Sequence, residues 1–206
     1  MGSLDWRLFD WVNHWPEGWS PFLKFFSVAL SIPFVKIGLG IMLIAMIARN
    51  EKTRKAALLA LVSIGIANTM TNVFKEAAPM NRPFQDASYS QDGGQTYKNP
   101  GMAHSVILRV GHSDSKGTAS AHSANMAALA FTMCYFLRRW GIPWIGVALF
   151  TGISRVYTGA HFPSQVLLGW TCGVFAALVV IKTWEAFVSR RTGVQSGEEH
   201  EEPELA

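Results

Sequence analysis

Apolar residues along this chain fall into blocks of roughly 20, the length of helix that spans a bilayer core. The first block runs from 22 to 48, with Pro33 as a kink or restart, and the second from 56 to 78, ending at Pro79. The third covers 119–137 and is stopped by Arg138-Arg139-Trp140-Gly141, the fourth covers 143–157, and the fifth covers 163–188 and is closed by Arg190-Arg191. This pattern predicts an all-α integral membrane bundle of five to six spans, the sixth arising if 20–35 makes a re-entrant pass. Ahead of the spans, Leu4, Leu8, Trp11 and Trp15 recur at helical spacing, joined by Trp6 and Trp19. An amphipathic helix lying in the headgroup layer accounts for that pattern. Three regions follow: an interfacial helix over 1–19, a membrane domain over 20–188, and an acidic, disordered tail over 189–206. The polar stretch 81–118 reads as a solvated outward loop.

Composition and charge sharpen this picture. Half of the 206 residues are hydrophobic and 16% are charged, against about 25% in soluble domains, which excludes a disordered chain and argues against a soluble enzyme. Eight Lys or Arg lie in 49–55, at 138–139 and at 190–191. In a five-span bundle these share one side, which the positive-inside rule makes cytoplasmic. The 81–118 segment and the 157–163 connection then face the periplasm or exterior of a plasma membrane. No Asp or Glu lies between Asp114 and Glu185, whereas Lys116, Arg138, Arg139, Arg155 and Lys182 do. A charged ligand bound there is expected to be an anion. Cys134 and Cys172 sit inside apolar blocks and read as small core residues.

Three clusters at the outward ends of the spans carry chemistry. They are Lys75 with Arg82-Pro83, Ser120-Ala121-His122, and Ser154-Arg155 with His161 and Gln165. Taken singly, each has an ordinary reading: a snorkelling lysine, a helix N-cap, an interfacial histidine. Together they place three cations, two imidazoles and a hydroxyl at converging helix ends. Phosphoryl transfer needs fixed cations and donors around the equatorial oxygens, and arginine forks suit those oxygens. Ser120 opens a helix, whose free N–H groups also favour an anion. Gln165 lies one turn beyond His161, where its carbonyl can accept an imidazole N–H and leave the other ring nitrogen free to attack phosphorus. His122 is then placed to protonate the leaving group.

The triple pattern Lys75-x6-Arg82-Pro83, Ser120-x-His122 and Ser154-Arg155-x5-His161-x3-Gln165 closely resembles the signatures of the type 2 phosphatidic acid phosphatase superfamily over about 20–188. The resemblance implies a membrane helical bundle that removes phosphate from lipid phosphates and pyrophosphates without a metal or other cofactor. It assigns the nucleophile to His161, the general acid to His122, and phosphate binding to Lys75, Arg82, Ser120 and Arg155. The expected partners are a lipid phosphate and membrane lipids, with no nucleic acid. The compact chain looks most like bacterial undecaprenyl pyrophosphate phosphatases. Phosphatidate, phosphatidylglycerophosphate, transfer to a second lipid, and mere binding or transport stay open as alternatives. Two positions depart from the family pattern. Ala121 stands where a glycine is usual beside the phosphate, and Gln165 stands where an aspartate usually supports the nucleophile. In the outward loop, His104, Arg109, His112 and Lys116 either clamp a headgroup or are ordinary polar loop residues, the latter being the default. Gly93-Gly94 reads as a turn.

Overall fold

The computed structural model describes residues 2–29, 32–91, 94, 96–98 and 103–198. Seven helices dominate: α1 (Ser3–Asn13), α2 (Ser20–Val28), α3 (Pro33–Arg49), α4 (Glu51–Ala77), α5 (Ala121–Leu137), α6 (Ile142–Tyr157) and α7 (Pro163–Glu198). Their boundaries follow local chemistry. Proline stands at the start of α3 and in the first turn of α6, where its missing N–H costs nothing. Asn50 caps α4 by accepting the Thr53 N–H, and Ser120 caps α5 by accepting from the Ser123 N–H.

α4 and α7 are each long and apolar enough to cross a membrane, and the segments Glu17–Val28 and Pro33–Arg49, bent by 55° relative to each other, qualify as a pair. Of the kink or restart expected at Pro33, the structure shows the restart, with α3 beginning at that residue. α5 and α6 have 17 and 16 residues, which reach roughly 24–26 Å at the helical rise.

The bundle closes around small residues. Ala67 of α4, Ala124 and Ala128 of α5, and Cys172 and Ala176 of α7 form one buried cluster. Gly169 and Gly173 of α7 let that helix approach α5 backbone to backbone. A Cβ on Gly169 would lie 2.5 Å from the Ser120 carbonyl oxygen, and one on Gly173 would lie 2.2 Å from that of Ala124. Paired small residues one turn apart permit such contact where the hydrophobic effect gives helices no reason to associate. This contact sets where the start of α5 stands relative to the start of α7, so it positions two of the three motif clusters.

The polar stretch 81–118 departs from the all-helical expectation. It forms a three-stranded sheet, β2–β1–β3, from β1 (Ser88–Gln91), β2 (Thr96–Tyr97) and β3 (Ser105–Leu108). β1 runs antiparallel to β2, with Tyr89 opposite Tyr97, and parallel to β3, with Tyr89 opposite Val106. Val106 and Leu108 alternate onto one face and are buried with Phe9, Phe84, Phe162 and Val166. That packing makes the sheet a structured cap over the end of the bundle where α4 ends and α5 begins. Gly94 has a positive φ of 92°, as a turn requires, whereas Gly93 lies outside the described residues. α7 continues past 188 to Glu198, so the first part of the expected tail is helical, and 199–206 lie outside the described residues.

The α5–α7 contact yields a direct test. Gly173→Ala should destabilise the protein by about 1–3 kcal/mol, as overpacking does, read as a lower thermal midpoint in detergent. An unchanged midpoint would show that the two helices are not held this closely.

Candidate active site

His161 is delivered by the way α6 ends. Gly159 sits just past the helix at φ 77°, the Ala160 N–H reaches back to the Arg155 carbonyl, and the Gly159 N–H reaches that of Val156. This pair of bonds is a Schellman termination, which favours glycine at the left-handed position. A side chain at 159 would also meet the Ile107 carbonyl oxygen at 2.7 Å. The Arg155 carbonyl accepts the His161 N–H as well. Arg155 and His161 are therefore tied through the backbone as well as through the cavity they share.

The imidazole of His161 is 3% exposed. Its Nδ1 lies 3.1 Å from Gln165 Oε1 and 3.2 Å from the Gly117 carbonyl oxygen. Both neighbours accept only, so Nδ1 carries the proton and Nε2 keeps its lone pair. Gln165 is itself fixed: its Nε2 donates to the Asn81 carbonyl at 2.8 Å and its Oε1 also accepts the Phe162 N–H. Burial, followed by the charges of Arg155 and Arg82, pushes the His161 pKa well below the ordinary histidine value, against the opposing pull of Gln165 and Gly117. The ring is neutral in the free protein.

Lys75, Arg82, Ala121, His122, Arg155 and His161 line one cavity of about 350 Å³, together with Ser27 and Ser113. The arginines are held by neutral acceptors. Arg82 donates through Nε to the Ser115 carbonyl and through an Nη to the Ser115 hydroxyl, both at 2.7 Å, and Arg155 donates to the Ser27 hydroxyl at 2.7 Å. Among the described residues no carboxylate pairs with Lys75, Arg82 or Arg155. The Arg155 Nε is buried without a partner. Buried charge that is neither paired nor neutralised is costly, and an anion entering this cavity relieves that cost. No group of three or more metal-ligating side chains occurs among the described residues.

Two expected site residues stand apart from the cavity. Gln165 lies behind His161. Ser120 is wholly buried and its hydroxyl accepts from that of Ser123 at 2.9 Å, so its part is to start α5. The N–H groups of Ala121 and His122, in the first turn, have no partner within the helix. In the segment between α4 and α5, Arg109 is buried and donates to the carbonyls of Asn13 and Tyr157, each at 2.8 Å, with Glu17 beside it. His104 stacks on Trp6, His112 lies between Tyr89 and Asp114, and Lys116 donates to Asn81. None of the four lines the charged cavity.

Ser27, Ser113, Ser115 and Gly117 escaped the sequence reading. Ser27 gave a faint signal as a hydroxyl inside an apolar block. Gly117 gave none beyond its place before Ser120. A Cβ on Gly117 would lie 2.8 Å from both Arg82 Cγ and Gln165 Oε1, so only glycine lets its carbonyl reach His161 while those side chains keep their places.

The PAP2 superfamily model matches residues 56–189. Undecaprenyl-diphosphatase BcrC of Bacillus subtilis is 27% identical over 107 residues, covering 45% of this chain and 55% of that protein. Lipid A 1-phosphatase of Rhizobium johnstonii is 32% identical over 69 residues, covering 34% of this chain and 28% of that protein. The chain therefore spans about half or less of the length of these relatives. Aquifex aeolicus LpxE shares the fold at a TM-score of 0.65 and 20% identity, covering 88% of this chain and 96% of that one. The phosphatidylglycerolphosphate phosphatase of Bacillus subtilis shares it at 0.63 and 21%, covering 89% and 86%.

The neutral ring of His161 predicts a titration. Its folded pKa lies below the unfolded value, so the folded state loses stability as pH falls below about 6.5. Imidazole ¹⁵N shifts in micelles, assigned with His161→Ala, should show Nδ1 protonated and Nε2 bare down to well below that pH. Gln165→Glu should move the titration upward, because a carboxylate holds the imidazolium. A wild-type midpoint near 6.5 would contradict the geometry.

Proposed function

Because the chain belongs to the PAP2 superfamily, we propose that it is an integral membrane phosphatase that hydrolyses a lipid phosphate or pyrophosphate. The observation that carries this reading is the position of His122. It lines the cationic cavity and, on another side, a second cavity of about 340 Å³ walled by Phe25, Phe26, Val35, Leu39, Met126 and Trp144. A ligand spanning the two has a phosphate at one end, a hydrocarbon chain at the other, and His122 beside the bond between them.

The chemistry follows from that placement. Lys75, Arg82 and Arg155 hold the phosphoryl oxygens, together with the first N–H groups of α5. The Nε2 lone pair of His161 attacks phosphorus, the bond to the bridging oxygen breaks, and His122, protonated beside the negative charge of the bound phosphate, gives that oxygen its proton. His122 then takes a proton from water, whose oxygen attacks phosphorus and breaks the P–N bond. Inorganic phosphate leaves and His161 regains its neutral form. Gln165 and the Gly117 carbonyl hold Nδ1–H throughout, and the imidazolium that forms has no carboxylate beside it.

Undecaprenyl pyrophosphate is the preferred substrate. The relative named for undecaprenyl diphosphatase activity supports it, as does a tail cavity lined by apolar side chains of α2, α3, α5 and α6. The reading places five spans in a plasma membrane, with 49–55, 138–139 and 190–191 on the cytoplasmic side and the cationic cavity facing the periplasm or exterior.

The test is phosphate release in detergent with chelator present, offering undecaprenyl pyrophosphate, phosphatidate and phosphatidylglycerophosphate in parallel. Wild type should release phosphate fastest from the prenyl lipid, and His161→Ala should lower kcat by at least 10³-fold with its fold intact, as loss of a nucleophile does. A tenth of wild-type activity in that variant would remove His161 from the role.

A further inference from the structure

Four residues on the inner side of α1 hold the connection that carries His161. Asp5 Oδ1 accepts the Ser164 N–H at 3.0 Å and its Oδ2 accepts the Ser164 hydroxyl at 2.6 Å. That carboxylate caps α7 from another helix, where the helix dipole favours negative charge. Next to it Trp6 meets Phe162 edge to face at 4.7 Å, and one turn on Phe9 meets the same ring at 5.5 Å. At the end of α1, Asn13 Nδ2 donates to the carbonyls of Tyr157 and Ile107, and its Oδ1 accepts the Ile107 N–H. Residues 157 to 164, with His161 among them, are thus gripped at both ends and in the middle by one short helix.

The outer side of α1 has a different character. Leu4 and Trp11 are 65% and 66% exposed, Leu8 is 45% exposed, and Trp19 beyond the helix is 51% exposed. Trp11, Trp15 and Trp19 form a continuous aromatic row, with successive centroids 5.3 and 6.5 Å apart. These side chains stand at the level where α7 begins, because Asp5 caps its first turn. That is the depth of the membrane interface, where tryptophan is favoured. The occupant of this face is therefore the headgroup layer of the bilayer.

Resting on the phosphatase reading, we propose that α1 is a membrane-engaged strap whose outer face sits in the headgroup layer and whose inner face positions His161. Asp5, Trp6, Phe9 and Asn13 are positioning residues that act through the 157–164 connection. Bilayer contact holds the strap down, so the site is best ordered when the enzyme lies in a membrane that presents its substrate.

Two measurements on the full chain test this. A spin label at Leu8→Cys in nanodiscs of phosphatidylcholine and phosphatidylglycerol reports depth, and the expected label lies in the headgroup layer. A water-exposed label, or one shielded by a second copy or another protein, overturns the proposal. The second measurement compares the double variant Leu8→Glu/Trp11→Glu with wild type. In nanodiscs it should lower kcat about tenfold with KM unchanged. In detergent, on a short-chain prenyl pyrophosphate, it should stay within twofold of wild type. Equal activity in nanodiscs, or an equal loss in both settings, overturns the strap. Asp5→Ala should lower kcat in both settings, with Asp5→Asn recovering part of it, and no change in Asp5→Ala overturns the inner-face role. If wild type releases no phosphate anywhere, the phosphatase reading fails, while the label depth still tests the strap's outer face.

Discussion

Three positive charges without a paired carboxylate among the described residues face one cavity, and the residues around it are arranged to hold them there. Lys75, Arg82 and Arg155 come from three separate segments and face the same 350 Å³ space, with no carboxylate paired to any of them among the described residues. Such an arrangement repels itself and resists desolvation, so it persists only where the surrounding structure fixes the two guanidinium groups. The fixing groups are neutral: the Ser115 carbonyl and hydroxyl for Arg82, and the Ser27 hydroxyl for Arg155. Neutral acceptors orient the guanidinium without cancelling its charge, which leaves the full field for a bound phosphate.

The same logic governs His161. A carboxylate on Nδ1 would neutralise part of the cationic field and draw a proton onto the ring. Gln165 and the Gly117 carbonyl fix the tautomer without adding charge, and burial beside Arg155 and Arg82 keeps the ring neutral. In the proposed mechanism the cost comes later, when the imidazolium must be tolerated without a counter-charge. The phosphate's own negative charge is the nearest compensation. The close α5–α7 contact through Gly169 and Gly173 keeps His122 and the connection bearing His161 in register for that step.

Much of this was readable from the sequence where the signal was periodic or chemically distinctive. Twenty-residue apolar blocks give the long helices α4 and α7, and Pro33 marks the break between α2 and α3. The spacing of His161 and Gln165 by four residues anticipates their contact across one turn. What escaped has physical reasons. The three-stranded sheet rests on Val106 and Leu108, a pair too short to register against a polar background, and Arg109 is buried through bonds to Asn13 and Tyr157, both distant in sequence. Ser120 serves α5 as its cap and the cavity only indirectly, a distinction that depends on where the hydroxyl turns. Gly117 matters for what it lacks, since its role depends on Arg82 and Gln165 folding over it.

The proposed hydrolysis turns on one covalent event, transfer of phosphate to Nε2 of His161 inside the cationic cavity. Rapid quench of the enzyme with its lipid substrate, followed by mass spectrometry of the peptides under alkaline conditions, observes that event directly. The expected result is a base-stable, acid-labile phosphate on His161 that forms and decays at rates compatible with turnover. Steady turnover with no phosphate on His161 at any quench time, or with the phosphate on His122, would contradict it.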